Sequence, residues 1–133
     1  MSESFISERV DRGAVPLAVG DLLVILLVIA LGMVNHGSLT GPAALLATAA
    51  PFLVGWAVSS VPVGAYSAGA AESAKAAVPL AIRSWVPAAV VGIVIRGATQ
   101  SAFGTGLAVF LVVMVVTGSV ALAVWRWVFF AVR

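Results

Sequence analysis

Leu107 to Trp125 reads LAVFLVVMVVTGSVALAVW, and no residue in it is charged. At 1.5 Å of rise per residue, a helix of about 19 residues is roughly 28 Å long, close to the hydrocarbon thickness of a bilayer. A helix apolar on every side has no face to offer water, so this stretch predicts a membrane span. Gly104-Thr105-Gly106 precedes it as a turn signal, and Trp125, Trp127, Phe129 and Arg133 close it with an aromatic and basic anchor. The span is read over 106–127.

Leu17 to Val34, LAVGDLLVILLVIALGMV, has the same character and is broken only by Asp21. Asn35, His36 and Gly37 follow it in place of a small-residue cleavage pattern, which favours an uncleaved first span over a signal peptide. The turn Asn35–Pro42 leads to a second span over 43–63, with Pro42 suited to a helix's first turn. The third span is harder to delimit, because Ser84 to Arg96 gives only about 20 Å of helix. It must take in its flanks over 79–98, which places Arg83 and Arg96 near opposite membrane faces, where each can snorkel. Between the middle spans, the segment from Gly64 to Ala77 carries Glu72 and Lys75 and is too polar to cross. Residues 1–16 mix Glu3, Glu8 and Asp11 with Arg9 and Arg12 and read as a cytoplasmic tail. The expected fold is all-α, a single transmembrane bundle of four helices over 17–133.

Composition agrees. Hydrophobic residues make up 62% of the 133-residue chain and charged ones 9%, against roughly 25% charged in a soluble protein. Cysteine is absent, which excludes disulfides, thiolate catalysis and thiolate metal ligation. The seven Lys and Arg are scattered singly and the net charge is +2, so neither nucleic acid nor a polybasic lipid patch is expected. Arg9, Arg12, Lys75, Arg83, Arg126 and Arg133 fall on the side of the termini, and Arg96 alone on the other. The positive-inside bias therefore puts both termini in the cytoplasm of a multi-pass cell-membrane protein.

Asp21 is the one acid inside a span, and a carboxylate in lipid must meet a cation or water. It is either half of an ion pair that locks two helices or a proton or ion site. By depth its first-choice partner is Arg83, with Arg126 second. On the outer side Arg96 has Asn35, His36, Thr99 and Gln100 within reach; the group reads as an anion or headgroup site, or as a snorkelled anchor among loop residues. His36 is the sole histidine and has no matched acid, which argues against a metal. Gly55 with Ser59, and Ala88 with Gly92, are small-xxx-small pairs that let helix backbones approach closely. No nucleophile with a paired base and no phosphate loop occurs, so no enzyme activity and no cofactor are expected.

Several of these residues recur in a familiar order: Asp21 opening the first span, Gly32 before His36-Gly37, Pro51 to Trp56 as PFLVGW, then Trp85, Gly92, Arg96, Ser101 to Phe103 and Trp125-Arg126. In these the chain resembles the uncharacterised prokaryotic membrane-protein family of domain of unknown function 3054, actinobacterial and haloarchaeal, over nearly all of 20–127. The resemblance implies four spans and no known activity. It departs from the family where a basic residue is expected after the glycine of the first span, since Met33 and Val34 follow Gly32 here.

Two roles follow from the residues. One is a structural or accessory membrane protein, in contact with lipid and with a homo-oligomer or larger membrane complex, whose buried charges fix helix packing. The other is a small homo-oligomeric transporter or channel using Asp21 with Arg83 or Arg96. The topology is open to direct test, because native cysteine is absent. Single cysteines at Ser38 and Ser73 are expected to react with an impermeant thiol reagent from opposite sides of the membrane; reaction from the same side would overturn the four-span reading.

Overall fold

The computed structural model describes residues 9–100 and 104–133, and the elements found there are helical. A 3-10 turn at Arg12–Ala14 leads into α1 (Val15–Asn35), followed by α2 (Pro42–Val63), α3 (Ala74–Gln100) and α4 (Thr105–Val132). All four long helices have the length and hydropathy to cross a bilayer. The chain is a multi-pass membrane protein of four spans.

Local chemistry sets the ends of the helices. Gly37, at φ 66°, lets Ser38 N–H reach the Met33 carbonyl at 2.8 Å and Gly37 N–H reach that of Val34 at 3.1 Å. Gly64, at φ 89°, does the same after α2, with Ala65 N–H on Ser60 at 3.0 Å and Gly64 N–H on Val61 at 3.1 Å. Both are the left-handed glycine closure that satisfies the last carbonyls of a helix. Ser73 caps α3 by accepting Ala76 N–H on its hydroxyl at 3.3 Å, and Asp11 accepts Gly13 N–H at 2.8 Å ahead of the first turn. Helices therefore outrun the apolar stretches. α3 begins at Ala74 rather than 79, α4 runs to Val132 rather than 127, and α1 takes in Val15 and Pro16 from the stretch read as tail, because backbone hydrogen bonding continues past the edge of the hydrocarbon. Residues 1–8 of that tail lie outside the described residues.

Among the described residues, α1 packs on α2 and α4, and α3 packs on the same two, with the broadest seam between α2 and α3. The helices thus form a ring in chain order, and α1 and α3 lie on its diagonal. Lipid tails are as apolar as leucine, so close packing rather than exclusion of water must hold such helices together. Glycines provide it. A Cβ on Gly55 would collide with the Ala88 backbone, and one on Gly92 with the Phe52 ring. Gly118 likewise makes room for Trp85, and Gly20 for Trp125. The core at mid-membrane is aromatic: Phe52 and Trp56 each lie 6.3 Å from Trp85, and Phe110 meets Phe52 edge-on at 5.8 Å. Trp85 donates its indole N–H to the Met114 carbonyl at 2.7 Å, so this large buried side chain leaves no donor unpaired.

Outside this ring the surface is Val and Leu, with Leu23, Leu27, Leu31, Val112, Val116 and Val120 more than half exposed. These positions face lipid. The glycine seams predict a contrast measurable as thermal stability in detergent. Gly55→Ala should cost about 1–3 kcal/mol by overpacking against Ala88. Gly32→Ala, where nothing lies within 4 Å of the added methyl, should leave stability unchanged or raise it.

Candidate functional site

Asp21 lies on a stripe of α1 that repeats every four residues, Leu17, Asp21, Ile25, Ile29 and Met33, and all five are buried. The buried stripe of α4 is Met114, Gly118, Leu122 and Arg126, with the same spacing. α1 and α4 are neighbours, and at the end that holds the termini the last member of one stripe meets an early member of the other, while Met114 and Gly118 turn to Trp85 of α3. Arg126 Nη2 lies 2.6 Å from Asp21 Oδ2, and Arg126 Nε donates to Oδ1 at 3.2 Å, with both side chains at 0% exposure. This is the forked geometry in which guanidinium and carboxylate bind most strongly.

The other helices complete the shell. Arg126 Nη1 donates to the Ala77 carbonyl in the first turn of α3 at 2.9 Å. Tyr66, in the connection after α2, donates its hydroxyl to Asp21 Oδ2 at 2.7 Å and accepts the indole N–H of Trp56 at 2.8 Å. Its ring also lies under the Arg126 guanidinium, 5.5 Å from ring centre to the central carbon. Tyr66 is itself held from outside the spans: Val10 forms a parallel bridge with it, and Asp11 N–H donates to its carbonyl at 2.7 Å. Burial, and then the Asp21 carboxylate beside it, push the Tyr66 phenol far above its ordinary value. It is therefore a neutral donor at any physiological pH. A carboxylate, a guanidinium, a phenol, an indole and one backbone carbonyl make a closed chain that joins all four helices.

The geometry departs from the expected pairing of Asp21 with Arg83. Arg83 is exposed, on a face of α3 shared with the exposed Val86, Pro87, Val90 and Val94. It points out of the bundle. Depth alone pointed to it, but helix rotation decides which side chain enters the bundle, and the ring order separates α1 from α3. The partner is Arg126. The sequence reading places none of Tyr66, Trp56 and the Ala77 carbonyl at the site, although Trp56 closes the PFLVGW motif. The available signal was that the only tyrosine of the chain follows the second span at the membrane edge where Asp21 also lies.

Among the described residues the outer polar group is not drawn together, beyond the Thr99 hydroxyl donating to the Arg96 carbonyl one turn back at 3.1 Å. Arg96 packs its guanidinium over the Phe110 ring at 5.5 Å, while Asn35 and His36 are exposed at the end of α1, which does not pack on α3. The Gln100 side chain and Ser101–Phe103 lie outside the described residues. Gly55, Ser59, Ala88 and Gly92 are all buried and lie on the two helices of the α2/α3 seam, where Gly55 meets the Ala88 backbone. Among the described residues no group of three or more His, Asp or Glu is placed to hold a metal.

Removing one partner of a buried ion pair strands the other charge. Asp21→Asn and Arg126→Gln are each expected to destabilise the protein in detergent by about 3–5 kcal/mol, whereas Asp21→Leu with Arg126→Met should recover most of that loss. Arg83→Gln should change stability by less than about 0.5 kcal/mol. Additive single and double variants at 21 and 126 would show that the pair does not form.

Residues 18–129 match the protein family described as protein of unknown function (DUF3054). No curated protein and no solved structure matches the chain. The match runs from Ala18 in α1 to Phe129 in α4 and takes in every helix that contributes to the ion pair's shell, so the chain belongs to the DUF3054 family of proteins of unknown function.

Proposed function

We propose that this protein is a structural or accessory component of the cell membrane, with both termini in the cytoplasm and no catalytic activity of its own. The observation that carries this reading is the closure of the Asp21 shell. Both carboxylate oxygens are engaged, by Arg126 on one and by Arg126 and Tyr66 on the other, and the shell contains no exposed member. An ion or proton carrier needs its carboxylate to exchange with water in at least one state.

Two further features support it. The bundle interior beyond Asp21 is filled by Ile25, Phe52, Trp56, Trp85 and Met114, all buried, so a solute's path through one copy would have to displace the aromatic core. Carriers also tend to bind at the bilayer midplane, on broken helices with polar groups turned inward. Here the mid-span hydroxyls of Ser84 and Thr117 are turned back onto the Leu80 and Val113 carbonyls of their own helices, at 2.8 and 2.6 Å, and Ser119 alone among the described hydroxyls is buried without a partner. The charge bias of the two membrane faces supports the cytoplasmic placement of the termini.

Reconstituted protein tests the choice between this role and the homo-oligomeric transporter. Proteoliposomes carrying the wild-type chain are expected to show no proton- or ion-linked flux above empty vesicles. Reproducible flux above empty vesicles that is abolished in Asp21→Leu with Arg126→Met, the double variant expected to keep most of the stability, and with its helical content retained, would establish the transporter.

A further inference from the structure

The lipid-facing side of the α1/α4 seam holds an open groove of about 530 Å³, within the range of roughly 300–1,000 Å³ that small-ligand sites occupy. Val15, Pro16, Val19 and Leu23 of α1 and Trp125 of α4 line it, with Gly20 at the point where the indole enters. Every lining residue is apolar. Within a membrane-spanning segment, such a groove takes hydrocarbon.

The polar end of the groove carries a second, independent feature. Trp125, Phe129 and Arg133 form a ladder on one face of α4, with ring centres 5.6 Å apart and the Arg133 guanidinium 5.3 Å from the Phe129 ring. Arg133 also donates to the Ala71 carbonyl at 3.2 Å. The Ala71 methyl in turn stands 3.8 Å from where a Cβ on Gly13 would lie, which brings Arg133 toward the 3-10 turn that Arg12 opens. Arg12 is exposed and lies one turn before Val15, where the groove begins. Asp11 and Glu72 are the acids at this end, and Asp11 is bonded to Gly13 N–H. Against them, among the described residues, stand Arg12, Lys75, Arg83 and Arg133, while Arg126 is neutralised by Asp21, so the described part of this end is net positive.

We propose that the groove and the two arginines above it form a binding site for one anionic phospholipid, its phosphate against Arg12 and Arg133 and one acyl chain along Val19, Leu23 and Trp125. The groove supplies contact for hydrocarbon, and the guanidinium pair supplies the preference for a negative headgroup. The proposal rests on the chain's being a membrane protein and is independent of whether it transports anything.

Trp125 lines the site and can report on it. The full chain carrying Trp127→Phe is reconstituted in phosphatidylcholine bilayers, so that the other remaining tryptophans, Trp56 and Trp85, are buried in the core. Brominated phosphatidylglycerol or brominated phosphatidylcholine is then titrated in and indole quenching followed. The anionic lipid is expected to half-quench at a mole fraction at least about fivefold lower than the zwitterionic one, the ratio that one basic residue at an anionic surface produces. Arg12→Gln with Arg133→Gln should merge the two curves, and Leu23→Phe, at an exposed position on the groove wall, should reduce quenching by both lipids. If the double variant melts lower than its parent, Arg12→Gln alone repeats the comparison and should shift the anionic curve toward the zwitterionic one. Coincident curves in the parent, meaning annular lipid only, or a preference that survives the arginine substitutions, would overturn the site.

Discussion

Taking a carboxylate and a guanidinium out of water costs several kcal/mol for each ion even after relaxation, and in this bundle Asp21 and Arg126 are both without exposure. Such a pair survives only if its remaining hydrogen-bonding capacity is met by the fold around it. That requirement reaches every helix. α1 and α4 must be neighbours with their charged stripes facing, α3 must begin where the Ala77 carbonyl can receive Nη1, and the connection after α2 must turn back so that Tyr66 can donate to the carboxylate. The glycine that ends α2 and the bridge from Val10 to Tyr66 are what make that return. The ion pair is thus less a source of net stability than a constraint on register, because arrangements that separate the two charges leave one of them stranded in an apolar interior.

Away from the ion pair, association depends on shape. Water does not drive spans together once they are in lipid, so the attraction must come from contact. At Gly55, Gly92, Gly118 and Gly20 the absence of a side chain admits a helix backbone or a large ring from the neighbouring helix. Three of those four glycines receive an aromatic residue, and the result is a core of Phe and Trp wedged between thin helix faces. The two devices divide the bundle: ionic and hydrogen-bonded at the end that holds the termini, aromatic through the middle.

Much of the fold was legible. Four apolar stretches of bilayer length, separated by glycine, proline and polar turns, are enough to specify four spans, because lipid admits few other arrangements of backbone. Span ends were less legible: hydropathy marks where the hydrocarbon stops, whereas Ser73 and Gly64 act through hydrogen bonds that hydropathy does not register. The small-residue pairs at Gly55 and Gly92 could be read as packing positions from spacing alone, but the ring and the backbone that fill them could not.

The site shows where reading from sequence ends. Asp21 declared itself, since a lone acid in an apolar run needs a partner wherever it lies. Its partner did not, because a third span read from 79 puts Arg83 at the depth of Asp21, whereas α3 begins at Ala74 and Ala77 lies level with the pair, and because hydropathy does not give the helix rotation. In a soluble helix the polar face would reveal that rotation. Here the lipid-facing side is as apolar as the core, so the exposed stripe of Val86, Val90 and Val94 and the buried stripe of Met114, Gly118 and Leu122 carry the same kind of residue. Sequence by itself determined that the chain crosses a membrane four times and carries one acid that must be paired. Only the tertiary structure decided that α4 rather than α3 answers it, because the choice depends on which helices are neighbours and which face each turns inward, and an all-apolar span records neither.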